Sequence, residues 1–376
     1  MKIISIANQK GGCGKTTTAI NLASALSLNG KKVLLIDLDP QAHASLGLDV
    51  ESQDSIYNVI SRLTPRKLKV ADIIQRIENQ FDIIPSNILV GTLEQELSDE
   101  IGRELKLKEV IDPIKDQYDY ILVDCAPSLG ILTVNSIRLS DEIIIPVETS
   151  RFSMQGVAHV MEIIDLIKDR LGHVVTSRIL ITMFDSRLRH SFAMLDTFQK
   201  RYADMLLNTI IHINVKLKES AVMGKTVASY DKYSRGHKDY QTLAKELILR
   251  ERRDVDLRLD PEFQPFSHKM QAMVKKELPS MFPTRFSIGA ADAKSVYVTG
   301  SFNDWSLDDS CRMAKNGEGW EVSVSLKPGI YKYQFIIDGV WIEDMNNPRK
   351  ERNSFGDINS IVEVKPETAH SFETSS

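Results

Sequence analysis

The sequence predicts two structural parts: a doubly wound α/β domain with a mostly parallel sheet, followed by a small all-β, immunoglobulin-like sandwich. In residues 1–250, short apolar runs alternate with helical patterns, whereas residues 285–366 alternate apolar and polar side chains with period two. Continuous apolar runs suit parallel strands that helices cover on both faces. Alternation with period two suits antiparallel strands with one face in solvent. A chain of 376 residues has room for both domains.

The first part contains a series of strand-like runs rich in Ile, Val and Leu, which are KIISIA, KVLLIDLD, FDIIPS, YDYILVDCA, DEIIIPV and SRILITMF. Helical stretches separate them. One of these, TTTAINLASALSLNG, ends in the glycine expected just after a helix. This alternation of strand and helix predicts βαβ units and therefore a doubly wound α/β sheet.

A charged, proline-punctuated segment, residues 251–284, is interpreted as a linker with a helix around 267–277. The predicted sandwich that follows has strands VYVTG, WEVSVSL, YKYQFIID and SIVEV, separated by turn sequences such as KPG and DG. Residues 367–376 are polar and are expected to be a disordered tail.

Composition excludes several classes of protein. No run approaches the roughly 18 apolar residues that a membrane helix requires, and the N-terminus lacks the apolar region of a signal peptide. Three scattered cysteines, Cys13, Cys125 and Cys311, are too few for a disulfide framework or a zinc site. The sequence therefore predicts a protein of the reducing cytosol.

A glycine-rich loop lies between the first predicted strand and the first predicted helix. Glycines there allow backbone N–H groups to surround phosphate oxygens, and the helix N-terminus adds a favourable dipole. Lys15 would neutralise the β- and γ-phosphates, and the Thr16 hydroxyl would bind Mg²⁺. The predicted nucleotide-binding residues are Gly11, Gly12, Cys13, Gly14, Lys15, Thr16 and Thr17.

Three aspartates follow predicted strands and complete the predicted site. Asp37 and Asp39 end the run KVLLIDLDP, where alternation along a strand would turn both side chains toward the phosphates. Asp124 ends the run YDYILVD. Phosphoryl transfer needs positioning and charge neutralisation more than covalent chemistry, and these side chains supply both.

The segments KGGCGKTT, DLDPQ and DCAPSLG resemble the deviant Walker A and associated motifs of the ParA/MinD family of ATPases. The closing region NVKLKESAVMGKTVASYDKYSRGHKDYQTLAKEL is nearer to ParA and Soj. The resemblance implies slow, partner-stimulated hydrolysis of ATP with Mg²⁺, in a homodimer formed in the ATP state. Lys10 would reach the partner's nucleotide, Asp39 would help to position the attacking water, and Asp37 and Asp124 would support the metal ion. A ParB-like protein or another partner would stimulate hydrolysis.

Residues 187–238 carry ten Lys and Arg against four Asp and Glu. Such a surface is either an ordinary solvated face or a nucleic-acid footprint. The family resemblance favours non-specific DNA binding and a nucleoid location, with Arg187, Arg189, Lys216, Lys218, Lys225, Lys232 and Arg235 as the candidate contacts. Membrane recruitment would need an amphipathic C-terminal helix, and the sequence predicts a β-rich module in its place, so no membrane partner is expected.

Residues 285–365 resemble the glycogen-binding module of AMP-activated protein kinase β subunits. The resemblance implies an α-glucan ligand and the carbohydrate-binding residues Trp305, Gln334, Trp341, Phe355 and Asn359. Aromatic rings stack on sugar faces while nearby amides bind hydroxyls. Gln334 stands where the family commonly has lysine, and Phe355 replaces an aliphatic residue. Glucan binding, protein docking and a purely structural role all remain open.

Two functions follow from these features. The first is a dimerising ATPase that positions DNA or another cargo, with its C-terminal module coupling the cycle to a glucan or a protein. The second is an adaptor of a glycan-associated complex in which ATP acts only as a conformational switch. Asp39→Ala distinguishes them, because the positioning cycle would stall in the ATP dimer.

Overall fold

The computed structural model describes residues 1–150, 153–251, 282–303, 305–307, 311–317, 319–352 and 358–365. The chain divides into two compact units, residues 1–277 and 278–376. The predicted helix at 267–277, the predicted tail at 367–376 and Phe355 lie outside the described residues. Each unit is treated separately below.

The first unit is built on one eight-stranded sheet in the order β3-β4-β2-β5-β1-β6-β7-β8. The strands are β1 Lys2–Ile6, β2 Val33–Asp37, β3 Gln75–Glu78, β4 Phe81–Ile84, β5 Tyr120–Asp124, β6 Glu142–Glu148, β7 Thr176–Phe184 and β8 Leu206–His212. Neighbouring strands are parallel except β3, which pairs antiparallel to β4. The predicted doubly wound, mostly parallel sheet is confirmed.

Helices connect these strands. The α-helices are α1 Lys15–Leu28, α2 His43–Leu46, α3 Ile56–Ile60, α4 Leu93–Glu96, α5 Lys106–Ile111, α6 Ile131–Leu139, α7 Ser153–Leu171, α8 Arg189–Arg201, α9 Val215–Val222, α10 Val227–Tyr230 and α11 Arg235–Glu251. Short 3₁₀ turns span Val70–Asp72, Ile88–Thr92, Arg103–Leu105 and Lys115–Gln117. Among the described residues, no helix has the length and apolar character needed to cross a membrane.

The core of this unit lies between the central strands and the helices α1 and α11. Leu35 on β2 and Leu122 on β5 are fully buried, as are Leu22 on α1 and Leu243 on α11. Burial of these apolar side chains is the main favourable term in folding and fixes the sheet beneath the loops at its carboxyl edge. Those loops carry the candidate nucleotide site.

Three details differ from the sequence-based expectation. The expected strands omit β3, which has the polar sequence QRIE at the sheet edge, and β8, whose run LLNTIIH is interrupted by Asn208. In addition, β2 ends at Asp37, so Asp39 lies in the following loop and strand alternation does not orient it. A turn that begins after Leu38 decides the direction of that side chain instead.

The second unit is a pair of antiparallel sheets, as a small β-sandwich requires. Its strands are β9 Phe282–Gly289, β10 Val296–Gly300, β11 Ala314–Asn316, β12 Gly319–Leu326, β13 Gly329–Ile337, β14 Val340–Ile342, β15 Lys350–Arg352 and β16 Ile358–Val364. One sheet has the order β10-β13-β16-β15, with β14 paired to β13, and the other has the order β11-β12-β9. Phe286, Val298 and Phe335 lie in the core.

Strand β9 begins at Phe282, inside the segment interpreted from the sequence as linker. Its alternate residues Phe282, Phe286 and Ile288 contribute to the core of the sandwich. Eight residues of β9 pair with β12, from Phe282 opposite Leu326 to Gly289 opposite Gly319. The apolar alternation therefore starts earlier than the charge pattern of the preceding residues suggested.

Candidate nucleotide site and surface sites

The glycine-rich loop leaves β1 and enters α1 at the carboxyl edge of the sheet. Gly12 and Gly14 have φ angles of 74° and 87°, in the left-handed region that favours glycine. Gly14 is the N-cap of α1 and uses no side-chain cap. The first N–H groups of a helix have no partner within it, so they are available here to an anionic ligand.

Neighbouring strands hold this loop in place through buried hydrogen bonds. The Asn8 side-chain amide donates to the Pro146 carbonyl at 2.7 Å, while its oxygen accepts the Lys10 N–H at 3.1 Å. The Thr182 hydroxyl on β7 donates to the Cys13 carbonyl at 2.8 Å. The loop is therefore fixed from β6 and β7 before any ligand binds, which lowers the entropy lost on binding.

Cys13 is the variable residue of the loop and is almost fully buried. Its thiol lies 3.2 Å from the Lys10 carbonyl, as a donor, and burial raises its pKa despite the nearby Lys15 ammonium. A buried thiol with a raised pKa is a poor nucleophile. Cys13, Cys125 and Cys311 form no disulfide.

The two lysines of the loop have different environments. Lys15 is 7% exposed, and its ammonium donates to the Lys10 carbonyl at 3.1 Å. The Lys10 ammonium pairs with the Glu148 carboxylate at the end of β6 and donates to the Ser150 hydroxyl at 2.9 Å. Lys15 thus points across the inside of the loop, whereas Lys10 is bound to the segment that follows β6.

Asp124 is completely buried at the end of β5, and neither carboxylate oxygen has a hydrogen-bond partner among the described residues. Burial raises its pKa well above the usual value and the nearby Asp37 carboxylate raises it further, while the Thr16 hydroxyl and the Lys15 ammonium act in the opposite direction. A buried carboxylate without partners is unstable unless a cation or a proton compensates it.

Asp37 is also buried, but its oxygens have partners. It accepts hydrogen bonds from the Ser45 N–H at 2.8 Å, the Ser45 hydroxyl at 2.7 Å and the Asp39 N–H at 3.1 Å. Burial raises the pKa of Asp37 to about 6, although these hydrogen bonds oppose the shift. Asp37 therefore fixes the turn between β2 and α2, and any metal contact would have to share its oxygens with that turn.

The Asp39 carboxylate lies next to this turn and is 5% exposed. One oxygen accepts the Gln41 N–H at 2.9 Å, and the other lies 3.6 Å from Nδ1 of His43. Ala42, between them, has a φ of 53°. A non-glycine residue in this region stores backbone strain, which often accompanies functional loops.

These residues suit Mg²⁺ bound together with a phosphate ligand. Among the described residues, no three His, Cys, Asp or Glu side chains are grouped closely enough to hold a metal ion by themselves. Magnesium in nucleotide sites keeps several waters and uses one or two protein oxygens plus phosphates. The orphaned Asp124 carboxylate beside the Thr16 hydroxyl matches this requirement.

A cavity of about 620 Å³ adjoins the loop and is mostly apolar. Its lining includes Gly14, Thr17, Met183, Asn214 and Val215. An apolar cavity beside a phosphate-binding loop is suited to the base and sugar of a nucleotide. No motif in the sequence marks the part of this lining that comes from the ends of β7 and β8, because those residues lie far from the loop in sequence. Met183, with a φ of 50°, carries no signal in the sequence.

The basic candidates follow β7 and β8 and so lie toward the carboxyl edge of the sheet. Six of the seven predicted contacts are exposed, namely Arg187, Arg189, Lys218, Lys225, Lys232 and Arg235. Lys216 is half-buried and pairs with Glu219 at 2.8 Å. The Arg187 guanidinium makes two hydrogen bonds to the Asp185 carboxylate, at 2.9 and 2.7 Å. Lys216 and Arg187 are therefore partly neutralised by carboxylates.

In the β-rich unit, the structure brings Trp305 and Trp341 together. Their ring centroids lie 6.2 Å apart with 41° between the ring planes, and Trp341 is 47% exposed. Trp305 has a φ of 59°, and its N–H donates to the Gly300 carbonyl at 3.0 Å. Asn303 closes the same loop by accepting the Gly300 N–H at 2.9 Å and donating to the Ser306 carbonyl at 2.8 Å.

The two predicted amide contacts differ from expectation. Gln334 is 7% exposed, and its amide nitrogen donates to the Ile358 carbonyl at 2.7 Å. Asn359 is 6% exposed and pairs in register with Glu351 of β15. Gln334 therefore links β13 to β16 through its amide nitrogen, and its side chain lies largely beneath the surface. The tryptophan pair is the exposed part of this candidate site.

Comparison with protein families gives two matches. Residues 1–179 match a model described as AAA domain, and residues 282–370 match one described as the glycogen recognition site of AMP-activated protein kinase. The two matched segments belong to the two compact units.

Individual relatives match the first unit. The sporulation initiation inhibitor protein Soj of Bacillus subtilis is 39% identical over 249 residues, which is 65% of this chain and 98% of Soj. The chromosome partitioning protein ParA of Myxococcus xanthus is 34% identical, covering 66% of this chain and 89% of ParA. A cobyrinic acid a,c-diamide synthase from Mycobacterium smegmatis, with bound ATP analogue and magnesium, superposes with a TM-score of 0.58 at 26% identity, covering 66% and 94% of the chains.

Proposed function

Because the chain belongs to the Soj and ParA family of P-loop ATPases, we propose that it is an Mg²⁺·ATP-dependent positioning ATPase that dimerises with ATP and then binds DNA without sequence preference. Family membership confirms the resemblance inferred from the loop and aspartate motifs. The C-terminal module would bind an α-glucan or a glucan-bearing cargo. A ParB-like protein would stimulate hydrolysis and release the DNA, and the protein would be located on the nucleoid.

The observation that supports this proposal most directly is the buried carboxylate of Asp124, which lies beside the Thr16 hydroxyl and makes no hydrogen bond of normal geometry within the described part of the chain. A buried carboxylate at the end of a central strand is costly to the fold, and its presence indicates a bound ligand that compensates its negative charge. Thr16 and Asp124 would hold Mg²⁺, with Asp37 near them, and the bound ion would neutralise phosphate charge.

The chain's own residues would carry the remaining steps. The N–H groups of Gly11 to Thr17 would bind phosphate oxygens, and Lys15 would supply a positive charge inside the loop. Asp39, with one oxygen fixed by the Gln41 N–H, would orient the attacking water. Lys10 would contact the nucleotide of the second protomer and so make ATP binding a condition for dimerisation.

The exposed basic residues support DNA binding by the dimer. Lys218, Lys225 and Arg235 lie on or beside α9 and α11 and are exposed to solvent. A two-fold dimer presents such a surface twice, so the charges of two protomers would act on one DNA segment. Contacts of this kind depend on phosphate charge and weaken steeply with salt.

The experiment is DNA binding by the full chain with ATP or ADP across a salt series. We expect binding with ATP only, independent of DNA sequence, with a log–log salt slope of about −0.9 per phosphate contact. The double variant Lys218→Ala/Lys225→Ala should reduce the slope by about two contacts per protomer. The matched control is Lys32→Ala. Lys32 is an exposed lysine just before β2, at the amino ends of the parallel strands, and the predicted DNA contacts lie toward their carboxyl ends. Absence of binding with ATP would contradict the DNA part of the proposal.

The tryptophan pair supports an α-glucan ligand for the C-terminal module. Two indole rings 6.2 Å apart, one of them half-exposed, give a surface on which consecutive sugar rings can stack. Retention of the full chain on immobilised amylose tests this directly. Trp341→Ala should weaken retention about tenfold, whereas Ile330→Ala, which removes an even more exposed apolar side chain of β13, should leave it unchanged. Equal retention of the two variants would remove the glucan function and favour protein docking.

A further inference from the structure

The signature lysine, Lys10, is engaged within its own protomer. Its ammonium pairs with the Glu148 carboxylate and donates to the Ser150 hydroxyl at 2.9 Å. The Lys10 and Glu148 side chains are 30% and 29% exposed, so the pair is partly shielded from solvent. A lysine in this position cannot at the same time reach a nucleotide in a second protomer.

The segment that holds Lys10 is itself fixed. Glu148 is the last residue of β6, whose neighbour β1 leads directly into the loop. The Ser150 hydroxyl lies 3.0 Å from the Ser153 hydroxyl at the start of α7, and Thr149 donates to the Ser191 hydroxyl at 3.1 Å. Glu148 is therefore a preformed anchor at the rim of the loop and not a mobile surface carboxylate.

Glu148 also carries its charge close to the place where phosphates would bind. It lines the same cavity as Gly14 and Thr17, and its carboxylate contributes to the raised pKa of Cys13 in the loop. An unpaired carboxylate there would repel the phosphates of a nucleoside triphosphate. Lys10 reduces that repulsion while its ammonium is bound to Glu148. The ion pair therefore lowers the negative charge that the loop presents to ATP in the monomer.

We infer that Glu148 is a positioning residue that holds Lys10 within its own protomer and thereby sets the ATP concentration at which the protein dimerises. This inference rests on the proposed ATP dimer. By two-fold symmetry, each Lys10 that leaves its Glu148 is replaced near that site by the Lys10 of the other protomer. Dimerisation then exchanges two ion pairs within protomers for contacts between protomers. A stronger pair within the protomer raises the ATP concentration that dimerisation requires.

Glu148→Gln tests the inference, since it keeps the shape of the side chain and removes its charge. We expect half-maximal dimer formation, measured by analytical ultracentrifugation with a non-hydrolysable ATP analogue, at an about threefold lower nucleotide concentration. Glu148→Asp should restore a value nearer to that of the wild type. Glu162→Gln, on the exposed part of α7, is the control. An unchanged or higher half-point for Glu148→Gln would overturn the inference.

A second measurement does not depend on dimerisation. Acylation of Lys10 in the nucleotide-free full chain, followed by mass spectrometry, should be faster in Glu148→Gln than in the wild type, with Lys32 as internal reference. Equal rates would show that Glu148 does not hold Lys10. If the labelling rate rises but the wild type remains monomeric with ATP, the proposed dimer fails while the anchor within the protomer stands.

Discussion

The nucleotide loop and the tryptophan pair are built in opposite ways. The loop edge of the ATPase unit collects buried charges. Asp124 makes no hydrogen bond of normal geometry to any described residue, and Asp37 has a raised pKa. The tryptophan pair in the β-rich unit exposes apolar rings and rests on a loop whose polar groups are paired. The first site is destabilising until its ligand binds, whereas the second costs the fold little. Function and stability should therefore respond differently to mutation in the two regions.

The largest expected effect is that of Lys15→Met, which should change the activity of the nucleotide site and leave the tryptophan pair unaffected. Lys15→Met removes the positive charge inside the loop, and we expect ATP turnover to fall by about 100-fold or more because transition-state charge is then uncompensated. Retention on amylose should be unchanged, since the tryptophan pair lies in the other unit. Turnover is measured by phosphate release, with Lys32→Ala as the control for loss of a surface lysine. Loss of amylose retention would show that the two sites are coupled.

Asp124→Asn sharpens the comparison, because it should abolish Mg²⁺-dependent hydrolysis and yet stabilise the nucleotide-free protein. Removing a buried charge without partners should raise the free energy of unfolding of the ATPase unit by about 2 kcal/mol at pH 7. Calorimetry of the full chain measures this, and the transition that ATP shifts upward in the wild type identifies the ATPase unit. A lower transition temperature for Asp124→Asn would contradict the view that this site is destabilising when empty of ligand.

The same charges predict a pH dependence of stability for the nucleotide-free protein. Burial raises the pKa of Asp37 from 3.8 to about 6 and that of Asp124 in the same direction. Between about pH 4 and 6 these two carboxyl groups bind more protons in the folded state than in the unfolded state. The free energy of unfolding therefore falls as the pH rises from about 4 to 6. Asp124→Asn should make this fall shallower, as calorimetry across that range would show. An equally steep fall in the variant would assign the effect to other groups.

Asn303→Ala should give the smallest effect of these variants. Unlike Asp124→Asn, it should lower stability and function together. Asn303 bonds the Gly300 N–H and the Ser306 carbonyl, and its loop carries Trp305. Its loss should destabilise the β-rich unit by about 1 kcal/mol and weaken amylose retention a few-fold, because Trp305 is no longer held beside Trp341. Asn316→Ala, an exposed residue of β11, is the control. Stronger retention by Asn303→Ala would break the contrast between the two regions.

Much of the first unit could be predicted from sequence because its information is local. The runs KIISIA and YDYILVD are apolar on both faces, which only a sheet covered on both sides accommodates, and glycines follow the first run at once. The family resemblance, now confirmed, assigned the same residues to one site. Strand alternation does not orient the Asp39 side chain, because β2 ends at Asp37. The turn after Leu38 orients it, and the Gln41 N–H donates to its carboxylate.

The sequence by itself determined the fold class and predicted the phosphate loop and the aspartates that end β2 and β5, because these depend on periodicity or on a contiguous motif. The two tryptophans were predicted from the family resemblance. Only the tertiary structure decided which groups face each other across distant segments. It paired Lys10 with Glu148, left Asp124 unpartnered, buried Gln334 and brought Trp305 beside Trp341. The first of these relations depends on strand order, because β1 and β6 are neighbours and Lys10 meets Glu148 at one sheet edge although 138 positions separate them in the sequence. The contacts of Gln334 and of the two tryptophans join separate strands and loops of the β-rich unit, and no local pattern records them.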